Sequence, residues 1–157
     1  MNDDKIEIIK NSHYDKPNFY ALFPILEATL NLKDWSEVPS NKKHADILKN
    51  LIPELKNHTC SKGYKGGFIE RLEEGTYPEH IIEHMTIALQ NMAGEDITYG
   101  KSRKLDENLF QITIEYDHKS VASEALKGSV EILNSIYAED KDEDELKKMV
   151  SNILKRE

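Results

Sequence analysis

Cysteine is nearly absent from this 157-residue chain. Cys60 is the only one, so no intrachain disulfide can form and a reducing, cytoplasmic setting is expected. Long apolar runs are also missing. No stretch approaches the roughly 18 residues of a membrane span, and the opening MNDDKIEIIK lacks the apolar segment of a signal peptide. Cations are outnumbered, 21 Lys and Arg against 29 Asp and Glu, which leaves a net charge of −8. No basic cluster offsets that balance, so the phosphate backbone of nucleic acid is excluded as a partner. Glycine is scarce, yet Gly63, Gly66 and Gly67 fall close together in HTCSKGYKGGFIERL. Their spacing does not match G-x-x-x-x-G-K-[ST] and no strand precedes them, so a phosphate cradle is excluded in favour of a sharp connector.

What remains is enough for one domain with a real core. Apolar residues make up 38% and charged residues 32%, polar for a globular chain but not disordered. Alternation predicts strands at 5–10 and 25–32, with a Pro-interrupted loop over 11–24 between them. Helical spacing of Ala45, Leu48, Leu51, Ile52 and Leu55 predicts a helix over 41–55 that Pro53 shortens or kinks. A short helical turn is expected at 68–73. A third strand is expected to end at Gly100, and LFQITIEYD, residues 109–117, is the most strand-like run in the chain. A long helix follows over 118–138. The acidic run AEDKDEDE reads as a hinge or solvated cap, and residues 146–154 as a short amphipathic helix. The order predicts an α+β fold: a two-layer sandwich of a small mixed or antiparallel sheet with packed helices. It forms a single domain over 1–157, in which 139–157 are the acidic link and last helix.

The stretch that organises the chain is Thr76 to Gly94. Thr76 with Glu79 reads as a capping box, Pro78 suits the first turn, and Gly94 supplies a left-handed stop. Ile81, Ile82, Met85, Leu89 and Met92 form a core-facing stripe. His80, Glu83 and His84 lie at its border in H-x-x-E-H order, the spacing of an inverzincin helix. Two imidazoles one turn apart can hold zinc while the flanking carboxylate takes a proton from water. The alternative reading is a polar helix border with hydrogen-bonded histidines.

Three segments, KPNFYALFPILEATLNL, HTCSKGYKGGFIERLEEGTYPEHIIEHMTIALQNMAG and ITYGKSR, carry a family likeness. Together they resemble the N-terminal domain of cyanophycin synthetases, over roughly residues 14 to 137. That family follows this domain with an ATP-grasp module and a Mur-ligase-like module, which polymerise aspartate and arginine. Neither module is in this sequence, so an excised domain or a standalone relative without ATP-dependent ligase activity is expected. The resemblance implies a domain that holds the growing polymer. In some members it implies a metallopeptidase-like site that cuts polymer to make primers, with the H-x-x-E-H segment as its motif. Many relatives carry Glu one turn after the second His, where this chain has Ala88.

On that reading Zn²⁺ is held by His80, His84 and a third ligand from elsewhere. Glu115, at the end of the best strand, is the first candidate, then Glu70, then His58 or Cys60. Glu83 is the catalytic base. Arg71, Arg103 and Lys101 are candidates to bind substrate carboxylates, with surface salt bridges as their alternative role. Glu73 and Glu74 stand in the same relation to guanidinium groups. The expected partners are cyanophycin or a related Asp-Arg polymer, a cyanophycin synthetase, or further copies of the chain, without nucleic acid or membrane. The rival expectation is a non-catalytic polymer-binding or docking domain.

Overall fold

The strands with the clearest alternation form the centre of the sheet. Leu26, Ala28 and Leu30 of β2 (Ile25–Asn31) pair with Ile114, Ile112 and Phe110 of β4 (Leu109–Glu115), so one face of both strands is apolar. Residues 5–18 and 21–155 are described by the computed structural model. Two outer strands, β1 (Glu7–Tyr14) and β3 (Gly100–Lys104), complete a four-stranded antiparallel sheet in the order β1-β2-β4-β3. The apolar face is covered by α3 (Pro78–Met92) and α4 (Lys119–Ala138), which also pack on each other. Against them rest α1 (Lys42–Leu51), α2 (Gly67–Glu74) and α5 (Glu143–Leu154). This is the α+β arrangement expected, with the sheet on one side and helices on the other. Among the described residues no helix is long and apolar enough to cross a membrane.

Helix α3 is the central element because its apolar stripe is fully enclosed. Ile81, Ile82, Met85, Ala88 and Leu89 are each at most 1% exposed. Burying one such large side chain contributes about 1.5–3 kcal/mol, more than any single residue's helix preference. The helix therefore holds its register, and its polar border is placed by the core rather than by local propensity.

Several boundaries differ from expectation. β1 continues to Tyr14 instead of ending at 10, because polar residues pair along β2 as readily as apolar ones; an irregularity between Ile8 and Lys10 accommodates Ile9. The loop expected over 11–24 therefore starts after Tyr14, and its residues 19–20 lie outside the described residues. The third strand begins at Gly100 rather than ending there. The acidic run is the exposed link and cap expected, over 139–142, but its last three residues already belong to α5: Asp142 accepts from the Glu145 N–H and Glu145 answers with its carboxylate, so the helix starts at Glu143 rather than at 146. Pro53 does end α1 as expected, and a 3-10 turn, Pro53–Asn57, follows.

Candidate functional site

The capping box expected at Thr76 does not form. The N-cap of α3 is Tyr77, with no side-chain cap, while Pro78 occupies the first turn. The Thr76 hydroxyl is used differently, 2.9 Å from Nδ1 of His80. Gly94 does take the left-handed conformation, φ 103°. Four-residue spacing then sets two parallel columns on one side of α3: His80 above His84, and Glu79 above Glu83. All four line one open cleft of about 890 Å³.

The opposite wall comes from the segment between α1 and α2. Gly66 has φ +92°, and a Cβ on Gly67 would collide with the carbonyl oxygen of Thr59. These two residues let α2 start hard against the 3-10 turn Cys60–Lys62. That turn brings Cys60 Sγ to 3.4 Å from Nε2 of His80, and His58 Nδ1 to 2.8 Å from Nδ1 of His84. The fully buried Phe68 stacks on the His84 ring at 4.0 Å and meets His80 edge-on. The imidazoles are thus held by packing as well as hydrogen bonds.

Ligand atoms of Cys60, His80 and His84 lie within 4.8 Å of one another. Donors about 2.0–2.3 Å from a tetrahedral zinc-class ion sit roughly 3.3–3.8 Å apart, so the set fits such an ion after small side-chain movements. The histidines have outer partners of the kind that fix ligand tautomers, Thr76 for His80 and His58 for His84. Burial lowers the pKa of His80 to about 4 and of His84 to about 2, with Arg71 adding to the first and the neighbouring His80 and His58 to the second. Both rings are therefore neutral, the form a metal requires.

Glu83 behaves oppositely. Burial raises its pKa to about 7, opposed by a hydrogen bond from Ser102 and reinforced by the charge of Glu79. The pKa of Glu79 is itself raised by burial. Strand β3 presses against this pair: a Cβ on Gly100 would come 2.8 Å from Cδ1 of Ile87 and 3.3 Å from Oε2 of Glu83. A carboxyl that titrates near neutrality inside a cleft can both accept and return a proton.

The structure brings together only some of the expected residues. His80, Glu83, His84 and Arg71 line the cleft, and Arg71 Nε is buried without a partner among the described residues. Glu115 is elsewhere. Strand alternation sends Ile114 toward α3 and Glu115 to the other face, where its Oε1 accepts the N–H groups of Thr98 and Tyr99 at 3.1 Å each. Glu70 is turned outward to Tyr64 and Lys62. Cys60, the last-ranked alternative together with His58, is the third donor that the fold supplies. Lys101 and Arg103 alternate with Gly100 and Ser102, so they point away from the cleft; Arg103 donates to Gln111. Glu73 and Glu74 form surface pairs with Lys42 and Lys62. Ala88 is fully buried and does not line the cleft. Thr76, Glu79, Phe68 and Ser102 were not anticipated as site residues. The four-residue spacings Thr76–His80 and Glu79–Glu83 carried that signal; the approach of Ser102 did not show in the sequence.

Comparison with known proteins gives the family of the chain. Residues 27–138 match the family described as cyanophycin synthase-like N-terminal domain. The cyanophycin synthetase of Geminocystis herdmanii (strain PCC 6308) is 32% identical over 136 residues, 83% of this chain and 16% of that protein. Those of Crocosphaera subtropica (strain ATCC 51142 / BH68) and Trichormus variabilis (strain ATCC 29413 / PCC 7937) are 30% and 31% identical over the same length. The chain spans about one sixth of the length of these relatives, 16% and 15% in the last two cases. By the extent of these matches, the chain belongs to the cyanophycin synthase-like N-terminal domain family.

Proposed function

We propose that this domain hydrolyses backbone amide bonds of cyanophycin or a related Asp-Arg polymer, using a zinc-class metal ion. The observation that carries the reading is the convergence of Cys60, His80 and His84 ligand atoms within 4.8 Å in a cleft that also holds Glu83. Kinship with cyanophycin synthetases supports the choice of polymer.

His80 and His84, with Cys60, would hold the ion, which supplies Lewis acidity toward a carbonyl and lowers the pKa of water. Thr76 and His58 keep the ring nitrogens oriented. Glu83 accepts the proton of the attacking water and returns it to the departing amine, a role suited to a pKa near 7. Ser102 positions the Glu83 carboxylate, and Arg71 offers a guanidinium to a substrate carboxylate.

A second reading, a polymer-binding domain without catalysis, is favoured by one observation. The ring nitrogens facing Thr76, Cys60 and His58 already have protein partners. The test is metal analysis of the purified chain together with cleavage of cyanophycin, using Glu83→Gln as control. Stoichiometric zinc and cleavage that disappears in the variant support the enzyme. Polymer binding with neither metal nor shortening of the polymer leaves the binder.

A further inference from the structure

Strand β3 ends the sheet, with β4 on one side and no strand on the other. Its ladder to β4 fixes which backbone groups are free. The Tyr99 carbonyl accepts from Glu115 and the Leu105 N–H donates to Leu109, so odd-numbered residues face β4. The N–H and C=O groups of Gly100 and Ser102 therefore point out from the edge, unpartnered among the described residues. This edge is the rim of the cleft. Gly100 and Ser102 line it, and the β3 backbone lies against Glu83.

The two faces of the edge carry opposite charge. Lys101 and Arg103 are exposed on the outer face and form no ion pair among the described residues, in a chain of net charge −8. On the cleft side stand Glu54, Glu79, Glu83 and Asp96, with Arg71 and, at the end of β3, Lys104 beside Glu79 as the cations. A chain added to this edge has side chains that alternate between these two environments.

We infer that β3 is a docking strand for an extended peptide, which joins the sheet edge by main-chain hydrogen bonds. The carboxylates it presents on the outer face lie beside Lys101 and Arg103, and the cationic groups it presents on the other face enter the cleft. The five residues of β3 offer about 17 Å of edge, enough for a segment of four to six residues. Docking in this way carries a backbone amide past Glu83. The inference deepens the hydrolytic reading and rests on it for the cleft being a peptide site.

The test is binding of a fluorescein-labelled (Asp-Lys)5 peptide to the full chain, kept metal-free with chelator so that nothing is cut. Two further probes carry N-methyl groups on all Asp or on all Lys residues. In an added strand alternate N–H groups face the protein, so one N-methyl probe should bind at least tenfold more weakly and the other within about threefold of the parent. The double variant Lys101→Glu, Arg103→Glu, exposed and outside the cleft, should weaken the parent probe at least fivefold. Equal binding of both N-methyl probes, no binding of the parent, or indifference to the double charge reversal overturns the inference. The hydrolytic reading is judged separately. Metal-loaded chain that cuts polymer while the probes show no alternation leaves that reading standing and removes the docking strand; alternation without any cutting does the reverse.

Discussion

Among the described residues two clusters bring three potential metal ligands within 4.8 Å of each other: Cys60, His80 and His84 in the cleft, and Glu95, Asp117 and His118 near the start of α4. Their donor sets differ, sulfur and nitrogen in the first and mostly carboxylate oxygen in the second, and so do their surroundings. In the first, Phe68 stacks on one ring, Thr76 and His58 partner ring nitrogens, and His84 is 8% exposed. In the second, His118 pairs with Glu95 at 3.0 Å while its side chain is 65% exposed. Side-chain entropy and solvent screening leave an exposed pair with little energy to hold a geometry. Proximity of donors is common; donors immobilised by a second layer of contacts are what make a site.

The largest effect that sharpens this contrast is at Glu83. Glu83→Gln keeps the volume and removes the base, so cleavage of the polymer should fall by about 10²–10⁴-fold while zinc content is retained. Loss of metal together with activity would instead make Glu83 a ligand. The next effect tests the second layer. Thr76→Val removes the partner of His80 Nδ1, and competition with a chromogenic chelator should show zinc affinity down by about 10–100-fold. An unchanged affinity would remove the argument that outer partners separate the two clusters.

A pH series tests burial. The folded pKa of Glu83, about 7, lies above its ordinary value of 4.5, so the folded state binds the extra proton between these values. Its contribution to stability is therefore lost as pH rises from 4.5 to 7, up to about 3 kcal/mol. The buried histidines act in the other direction. Their folded pKa values, about 4 and 2, lie below 6.5, so stability is lost as pH falls below 6.5. Denaturation of Glu83→Gln against the parent isolates the first component: the variant should gain relative stability from pH 4.5 to 7 and plateau above. Catalysis by the parent should rise through the same pH 7 region as the base ionises. A constant stability difference across the series would mean Glu83 is solvated.

These tests also mark what could be read from residues alone. Helix α3, the central strands and the His80–Glu83–His84 set were legible because period and spacing are local properties. The third donor was not. Glu115 sits at the end of the strand next to α3, but whether a strand residue faces the helix depends on registration across the sheet, a non-local quantity. Cys60 became available through the close approach at Gly67, which Gly-Gly announces as a tight passage without naming what passes. The acidic run was legible as a solvated link and cap, but not the residue at which α5 starts: Asp142 and Glu145 form a capping box inside a string of charges, where composition hides position.

The smallest expected effect lies at the exposed cluster. His118→Ala removes a ring that hydrogen-bonds Glu95 at 3.0 Å and stands 3.7 Å from the Asp117 carboxylate. If burial and second-layer contacts are what distinguish the clusters, its cost should stay within about 0.5 kcal/mol. Zinc stoichiometry and polymer cleavage should match the parent. Helix α4 does not depend on this side chain either, since His118 is its N-cap without a side-chain cap bond and the apolar face from Val121 onward holds the helix in place. A drop in bound zinc from two equivalents to one in this variant would show that this cluster, with Asp117 and His118 exposed, holds metal as well. The distinction would then rest on reactivity, through Glu83, rather than on affinity.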